Sequence, residues 1–197
     1  MERDDAAQLR LADREDASAI ADLAKELLDW ERQLYPEMGP PSRWAGQASE
    51  IRRQMRLPST QFLVAEREGT VVGYVKVVVH RPPGMKRGAG SALSLQRVAR
   101  HLIDRVLQRP RPTVLSTGGL IAGIFVRKEE RRLGVGRDLV RAAEAWLQQQ
   151  GMATNHLTVL CANIAGREFW EACGYQPLSL VLHKPLHQPT AEPPPGP

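Results

Sequence analysis

The run Arg131-Arg132-Leu133-Gly134-Val135-Gly136 follows the apolar stretch Leu120 to Val126 and precedes an amphipathic segment, Val135 to Gln150. A strand, a basic loop with two glycines and then a helix together make an anion site. The first N–H groups of a helix have no intrahelical acceptor, and the helix dipole adds partial positive charge there. Glycines allow a phosphate close to the backbone, and the flanking arginines supply charge-assisted donors. A nucleotide-hydrolase loop is excluded, because Gly136 is followed by Arg137-Asp138 and not by Lys with Ser or Thr. A dinucleotide fingerprint is excluded as well, since its third glycine position holds Leu139.

A second motif lies downstream. Asn155-His156-Leu157-Thr158-Val159-Leu160-Cys161 reads as a short, largely apolar strand leading into the helix Asn163 to Gly174. Ala165, Phe169 and Cys173 recur every four residues, which predicts one buried face, and Gly174 stands where a helix end favours a left-handed residue. Arg-x-x-Gly-x-Gly between strand and long helix, followed by Asn163, Phe169 and Gly174-Tyr175, resembles the GNAT superfamily of acyl-CoA-dependent N-acetyltransferases. The likeness covers roughly residues 61–80 and 116–185, and more loosely the first helix. It departs at Trp170, where the family most often has Tyr, and at Gly166, where it often has Ala.

The elements needed to position these motifs can be read in order. Gln8 to Leu11 is a first strand, and Asp13 to Asp16 opens a helix carrying Ile20, Leu23, Leu27 and Trp30. Pro36 to Pro41 breaks the chain before a second helix over Gln47 to Leu57. Gln61 to Glu66 and Thr70 to His80 form a hairpin about Glu68-Gly69, its second arm rich in valine. The helix after the glycine loop turns Val135, Leu139, Ala143, Trp146 and Leu147 inward, and Gln176 to Lys184 can be a last strand. This reading gives an α/β fold. The resemblance implies a mixed, mostly antiparallel sheet with helices on both faces, splayed between the strand ending near Val126 and the strand Leu157 to Cys161.

Composition bounds the rest. With 197 residues, 42% of them apolar, the chain has room for one domain with a real core, taken as residues 1–187. The proline-rich tail 188–197 is expected to be disordered. No apolar run approaches the ~20 residues of a membrane span. The charged N-terminus does not read as a secretory signal, and two cysteines, Cys161 and Cys173, make neither a disulfide framework nor a metal site. Both are expected to be small buried hydrophobes in a cytoplasmic protein.

A basic insertion, 81–112, stands between the valine-rich strand and the strand before the glycine loop. It holds Arg81, Lys86, Arg87, Arg97, Arg100, Arg105, Arg109 and Arg111 against Asp104 alone, so the net charge of +5 originates there. Its stripe Leu95, Val98, Leu102, Ile103 and Val106 could cap the core or pair two copies as a homodimer. It lacks the spaced aromatics of a nucleic-acid platform, which argues against nucleic acid as a partner.

By resemblance, acetyl-CoA is the acyl-donor cosubstrate. Backbone groups of Ile124, Phe125 and Val126 would hold its pantetheine arm, and Arg131, Arg132, Leu133, Gly134, Val135, Gly136 and Arg137 its diphosphate. Asn163 and Trp170 would lie near the thioester. A small-molecule or peptide amine would attack the acetyl carbonyl directly, with Trp30, Glu31, Tyr35 and Glu37 overlooking the acceptor. Related enzymes often place a carboxylate at the positions held here by Ala122 and Gly123, and a tyrosine acid at Trp170, so no catalytic base or acid is assigned. A non-catalytic acyl-CoA sensor is the alternative.

Overall fold

The computed structural model describes residues 6–36, 46–80 and 118–183. The insertion 81–112, the tail 188–197 and Glu37 lie outside the described residues. In chain order the elements are β1 (Gln8–Leu11), α1 (Ala17–Leu34), α2 (Ala48–Met55), β2 (Thr60–Arg67) and β3 (Thr70–His80). There follow β4 (Gly118–Val126), a 3-10 turn (Lys128–Glu130), α3 (Val135–Gln149), β5 (Asn155–His156) and α4 (Ile164–Ala172).

The sheet runs β1-β2-β3-β4-β5. Its first three pairings are antiparallel and β4 pairs β5 in parallel. The β2–β3 hairpin turns at Glu68 and Gly69, both at positive φ (48° and 73°), a backbone twist that matches the flanking strands. Strand alternation then sorts the side chains. Leu63, Val75, Val77 and Ile121 point to one face and pack with Val135, Leu139, Ala143 and Leu147 of α3. Phe62, Val64, Tyr74 and Phe125 point to the other, where Ile20 and Leu23 of α1 and Ile51 of α2 cover them. Helices therefore lie on both faces, as the periodicities require.

α1 opens on Asp16, whose carboxylate is buried and receives Nη1 and Nη2 of Arg10 at 2.7 and 2.8 Å and the Asp13 N–H at 2.8 Å. Arg10 also bonds Glu66 through Nε at 2.8 Å, so one guanidinium joins β1, β2 and the helix start. These bonds hold the Asp16 carboxyl below its ordinary value.

Four expectations are corrected. The strand expected over Leu157 to Cys161 is reduced to Asn155–His156, because β4 bulges just beyond. Lys76 faces Gly123 and Val77 faces Ile121, which leaves Ala122 without a partner and bends the edge β5 would follow. Residues 176–183 form no strand, and Leu178, Leu180, Val181 and Leu182 are exposed. On α4 the buried residue is Trp170, while Ala165 is exposed and Phe169 and Cys173 are half-buried; Cys161 is exposed. The helix leans on the core most deeply through Trp170, with Phe169 and Cys173 of the expected stripe packed beside it and Ala165 left outside.

Candidate active site

The site is organised by β4. Its neighbour β5 is paired only at Gly119 with Asn155 and Leu120 with His156. Past that point no strand covers the outer edge of β4 among the described residues. The Arg127 N–H bonds Val72 O at 2.9 Å on the β3 side. Because backbone groups alternate along a strand, those of Val126 and Ile124 are turned to the open edge. The bulge at Ala122 sets this phase: it shifts by one the residues whose polar groups face outward.

The open edge runs into the glycine loop. After the 3-10 turn, Arg132 adopts φ 66° and Gly134 φ 90°, and α3 begins at Val135. Left-handed backbone at 134 is what a Cβ would oppose, so glycine there permits the loop to close onto the helix. The bond from Asp138 N to Gly134 O, 3.1 Å, is the first of the helix, so the amides of Val135, Gly136 and Arg137 precede it without intrahelical acceptors. A Cβ at Gly136 would stand 3.4 Å from the Phe169 ring. The two motifs of the sequence thus touch: the second glycine gives the α4 aromatic its seat.

Arg131 behaves differently from the other basic residues of the loop. Its Nε donates to Val126 O at 2.9 Å and its guanidinium lies 5.1 Å over the Phe125 ring, so it braces the end of β4. Arg132 and Arg137 are exposed, and Leu133 is exposed on the loop's outer side.

At the start of α4, Asn163 Oδ1 accepts the Gly166 N–H at 2.9 Å, a helix cap that leaves the amide N–H groups of its side chain as donors. Trp170 is buried edge-on between Phe169 and Tyr175. Its ring belongs to the core and not to the open cleft. Tyr175 Oη donates to Glu144 at 2.8 Å and accepts from Asn155 Nδ2 at 2.8 Å, which fixes β5 against α3; burial first, and then the bond to Glu144, push the phenol well above its usual range.

The α1 face of β4 holds the remaining candidates. No ionisable side chain occurs between Gly118 and Val126. Where residue 123 lacks a side chain, the Tyr74 hydroxyl lies 3.4 Å and Leu27 Cδ2 4.0 Å from the position its Cβ would take. Burial, and then the nearby Glu31 charge, push the Tyr74 phenol well above its usual range. Glu31 is half-buried, and burial raises its carboxyl above the ordinary value. Trp30 is 40% exposed, enough to offer a ring edge to a bound molecule. Tyr35 is engaged with His183, Oη to Nδ1 2.6 Å, tying the end of α1 to the C-terminal segment. His80 and His156 stack at 6.3 Å, and burial, with the neighbouring His80, depresses His156.

Tyr74 and His183 were not legible as site residues. Tyr74 had a faint signal, an aromatic on the alternate register of a valine strand; His183 had none.

Comparison with known proteins agrees with this geometry. The family model of the GNAT acetyltransferases matches residues 24–175. The chain belongs to that family and is an acyltransferase. A search of curated proteins gave no match. Among solved structures, a variant of the BH1408 protein from Bacillus halodurans superposes with TM-score 0.69 at 15% identity, over 91% of this chain and 99% of that one. The aminoglycoside N-acetyltransferase AAC(6')-Iy in complex with CoA gives 0.61 at 15% identity, over 94% and 97%. A ribosomal-protein-alanine N-acetyltransferase from Brucella melitensis gives 0.55 at 16%, over 91% and 99%. These likenesses concern the fold.

Proposed function

We propose that this protein transfers an acetyl group from acetyl-CoA to a primary amine by direct attack of the amine on the thioester. The observation that carries the reading is the open edge of β4 meeting the uncapped start of α3: outward-facing backbone groups of Ile124 and Val126, then the free amides of Val135, Gly136 and Arg137. An extended amide-bearing arm suits the edge as an added strand does, and a diphosphate suits the helix start. Arg132 and Arg137 supply mobile positive charge to the diphosphate, while Arg131 keeps the strand end in place. Asn163 offers its side-chain amide donors near the arm, and Phe125, Leu133 and Gly134 shape the walls. AAC(6')-Iy was crystallised with CoA and with a CoA–aminoglycoside bisubstrate analogue, which supports the same donor and an amine acceptor here.

The acyl donor supplies an activated carbonyl. The protein's part is to hold amine and carbonyl in line, an effect worth effective molarities of ~10⁵ M or more. The acceptor enters over Gly123 on the α1 side, beside Trp30, Glu31 and Tyr35. The acidic character of this helix end favours a cationic amine.

The test is thiol release. Purified protein, acetyl-CoA and a panel of polyamines, amino acids, aminoglycosides and peptide N-termini are incubated, and free CoA is measured with a thiol reagent. Amine-dependent release with matching acetylated product is expected. CoA binding without release for any amine class would leave the protein as an acyl-CoA sensor.

A further inference from the structure

An alkylammonium acceptor, ordinarily near pKa 10.4, is almost fully protonated at neutral pH and cannot attack a carbonyl until it sheds a proton. The strand beneath the acceptor offers nothing to take it, since Gly118 to Val126 contains no ionisable side chain. The opposite wall does. Leu27 of α1 lies over Gly123, and Glu31 follows one helical turn later on the same side of α1. The Glu31 charge is felt by the buried Tyr74 phenol, and that hydroxyl fills the space vacated by a side chain at 123. Among the described residues no cation pairs with the Glu31 carboxylate. A half-buried carboxylate without a counter-ion costs stability and is retained where a charge is to be received.

We infer that Glu31 takes the proton from the acceptor ammonium and that the Tyr74 hydroxyl at Gly123 positions the amine. This assignment rests on the acetyltransferase reading above. The N–H bond of the ammonium breaks and its proton passes to a Glu31 oxygen. The freed nitrogen lone pair forms the C–N bond as the C–S bond breaks. The thiolate recovers the second nitrogen proton, and Glu31 returns its own to solvent. Burial raises the Glu31 carboxyl, bringing it closer to the ammonium it must deprotonate.

The other ionisable groups around it are engaged or displaced. On α1, Asp29 lies 4.0 Å from Arg32. On β3, Lys76 sits over the Phe62 ring and is lowered by burial, with Glu50 and Arg53 of α2 acting on it in opposite senses. His183 holds Tyr35, and His80 and His156 stack on each other. β4 contributes none.

The experiment compares the intact protein with Glu31→Gln and Tyr74→Phe, using the most active amine of the panel. Acceptor kcat/KM is followed against pH, and CoA affinity is measured by calorimetry. Hydroxylamine serves as an acceptor that is largely unprotonated at neutral pH. Glu31→Gln is expected to lose on the order of 10²-fold in kcat/KM, to flatten the acidic limb, and to bind CoA as before. With hydroxylamine the loss should nearly vanish. Tyr74→Phe should raise KM for the amine and keep the acidic limb. An unchanged acidic limb in Glu31→Gln, or an equal loss with hydroxylamine, would overturn the assignment while leaving the acetyltransferase reading intact. Failure of the unaltered protein to bind CoA would overturn both.

Discussion

The two faces of the sheet bury polar groups on different terms. On the α3 face, every buried side chain of the cluster is apolar except for aromatic ring edges, and the neighbouring Tyr175 is satisfied by Glu144 and Asn155. On the α1 face, Tyr74 is buried beside Glu31, and Lys76 is desolvated over Phe62. Both Glu31 and Lys76 are shifted toward their neutral forms by burial. The first face is a framework that holds the glycine loop; the second tolerates ionisable groups at some cost to stability. The proposed proton transfer through Glu31 draws on that second face, where a half-buried carboxylate stands without a cationic partner among the described residues.

That contrast can be broken in stages. The largest effect belongs to the framework. Leu139→Ala empties a fully buried position beneath the glycine loop and should lower unfolding free energy by about 2–5 kcal/mol, measured by urea denaturation. Next comes the ion pair that starts α1. Asp16→Asn weakens charge-assisted bonds from Arg10 and should lose about 1.5–3 kcal/mol at pH 7. Because the native structure depresses the Asp16 pKa, its stabilisation is present above the ordinary carboxyl value and lost as pH falls through the native one. The gap between variant and parent should therefore narrow as pH falls below the ordinary carboxyl value.

Gly134→Val forces a β-branched residue to φ 90° and should lose about 1–2 kcal/mol of stability, with CoA affinity falling further because the loop no longer closes. The α1 face gives the opposite sign. The Glu31 pKa is raised, so its penalty is absent below the ordinary carboxyl value and grows as pH rises through the native one. Glu31→Gln should raise the melting temperature at pH 7 and leave it unchanged at pH 4 and below. The smallest effect is expected at the exposed pair of Arg53 and Glu50: Arg53→Ala should leave the urea midpoint almost unchanged, and any difference should shrink further in high salt.

The framework was legible because local rules encode it. Val135, Leu139, Ala143 and Leu147 keep helical spacing and are all buried, and the Glu68-Gly69 turn joins strands where alternation and valine content put them. The glycine loop was legible for the same reason, as its chemistry lies in contiguous residues. What escaped depends on distant partners. The splay of this edge was implied by the resemblance, but the early end of the strand at His156, opposite the bulge at Ala122 on β4, was not legible. Of the stripe Ala165, Phe169 and Cys173, the last two do pack on the core, but Trp170 is buried more deeply because Tyr175 and Phe169 offer it an aromatic seat. Tyr74 became a candidate only through the bare Gly123 across the sheet, and Arg131 proved to be a brace only once Val126 O and Phe125 lay beside it. Alternation in one segment cannot report a contact made by another.

The central claim is that the start of α3 and its loop hold a diphosphate and so aim an acyl donor along the open edge of β4. Calorimetric titration of the full-length protein with CoA and, separately, with pantetheine tests it most directly. The account predicts saturable CoA binding, with pantetheine, which lacks the diphosphate, weaker by at least about 2.7 kcal/mol, or roughly a hundredfold. Equal affinity for the two ligands, or no heat of binding with CoA at millimolar concentration, would contradict it.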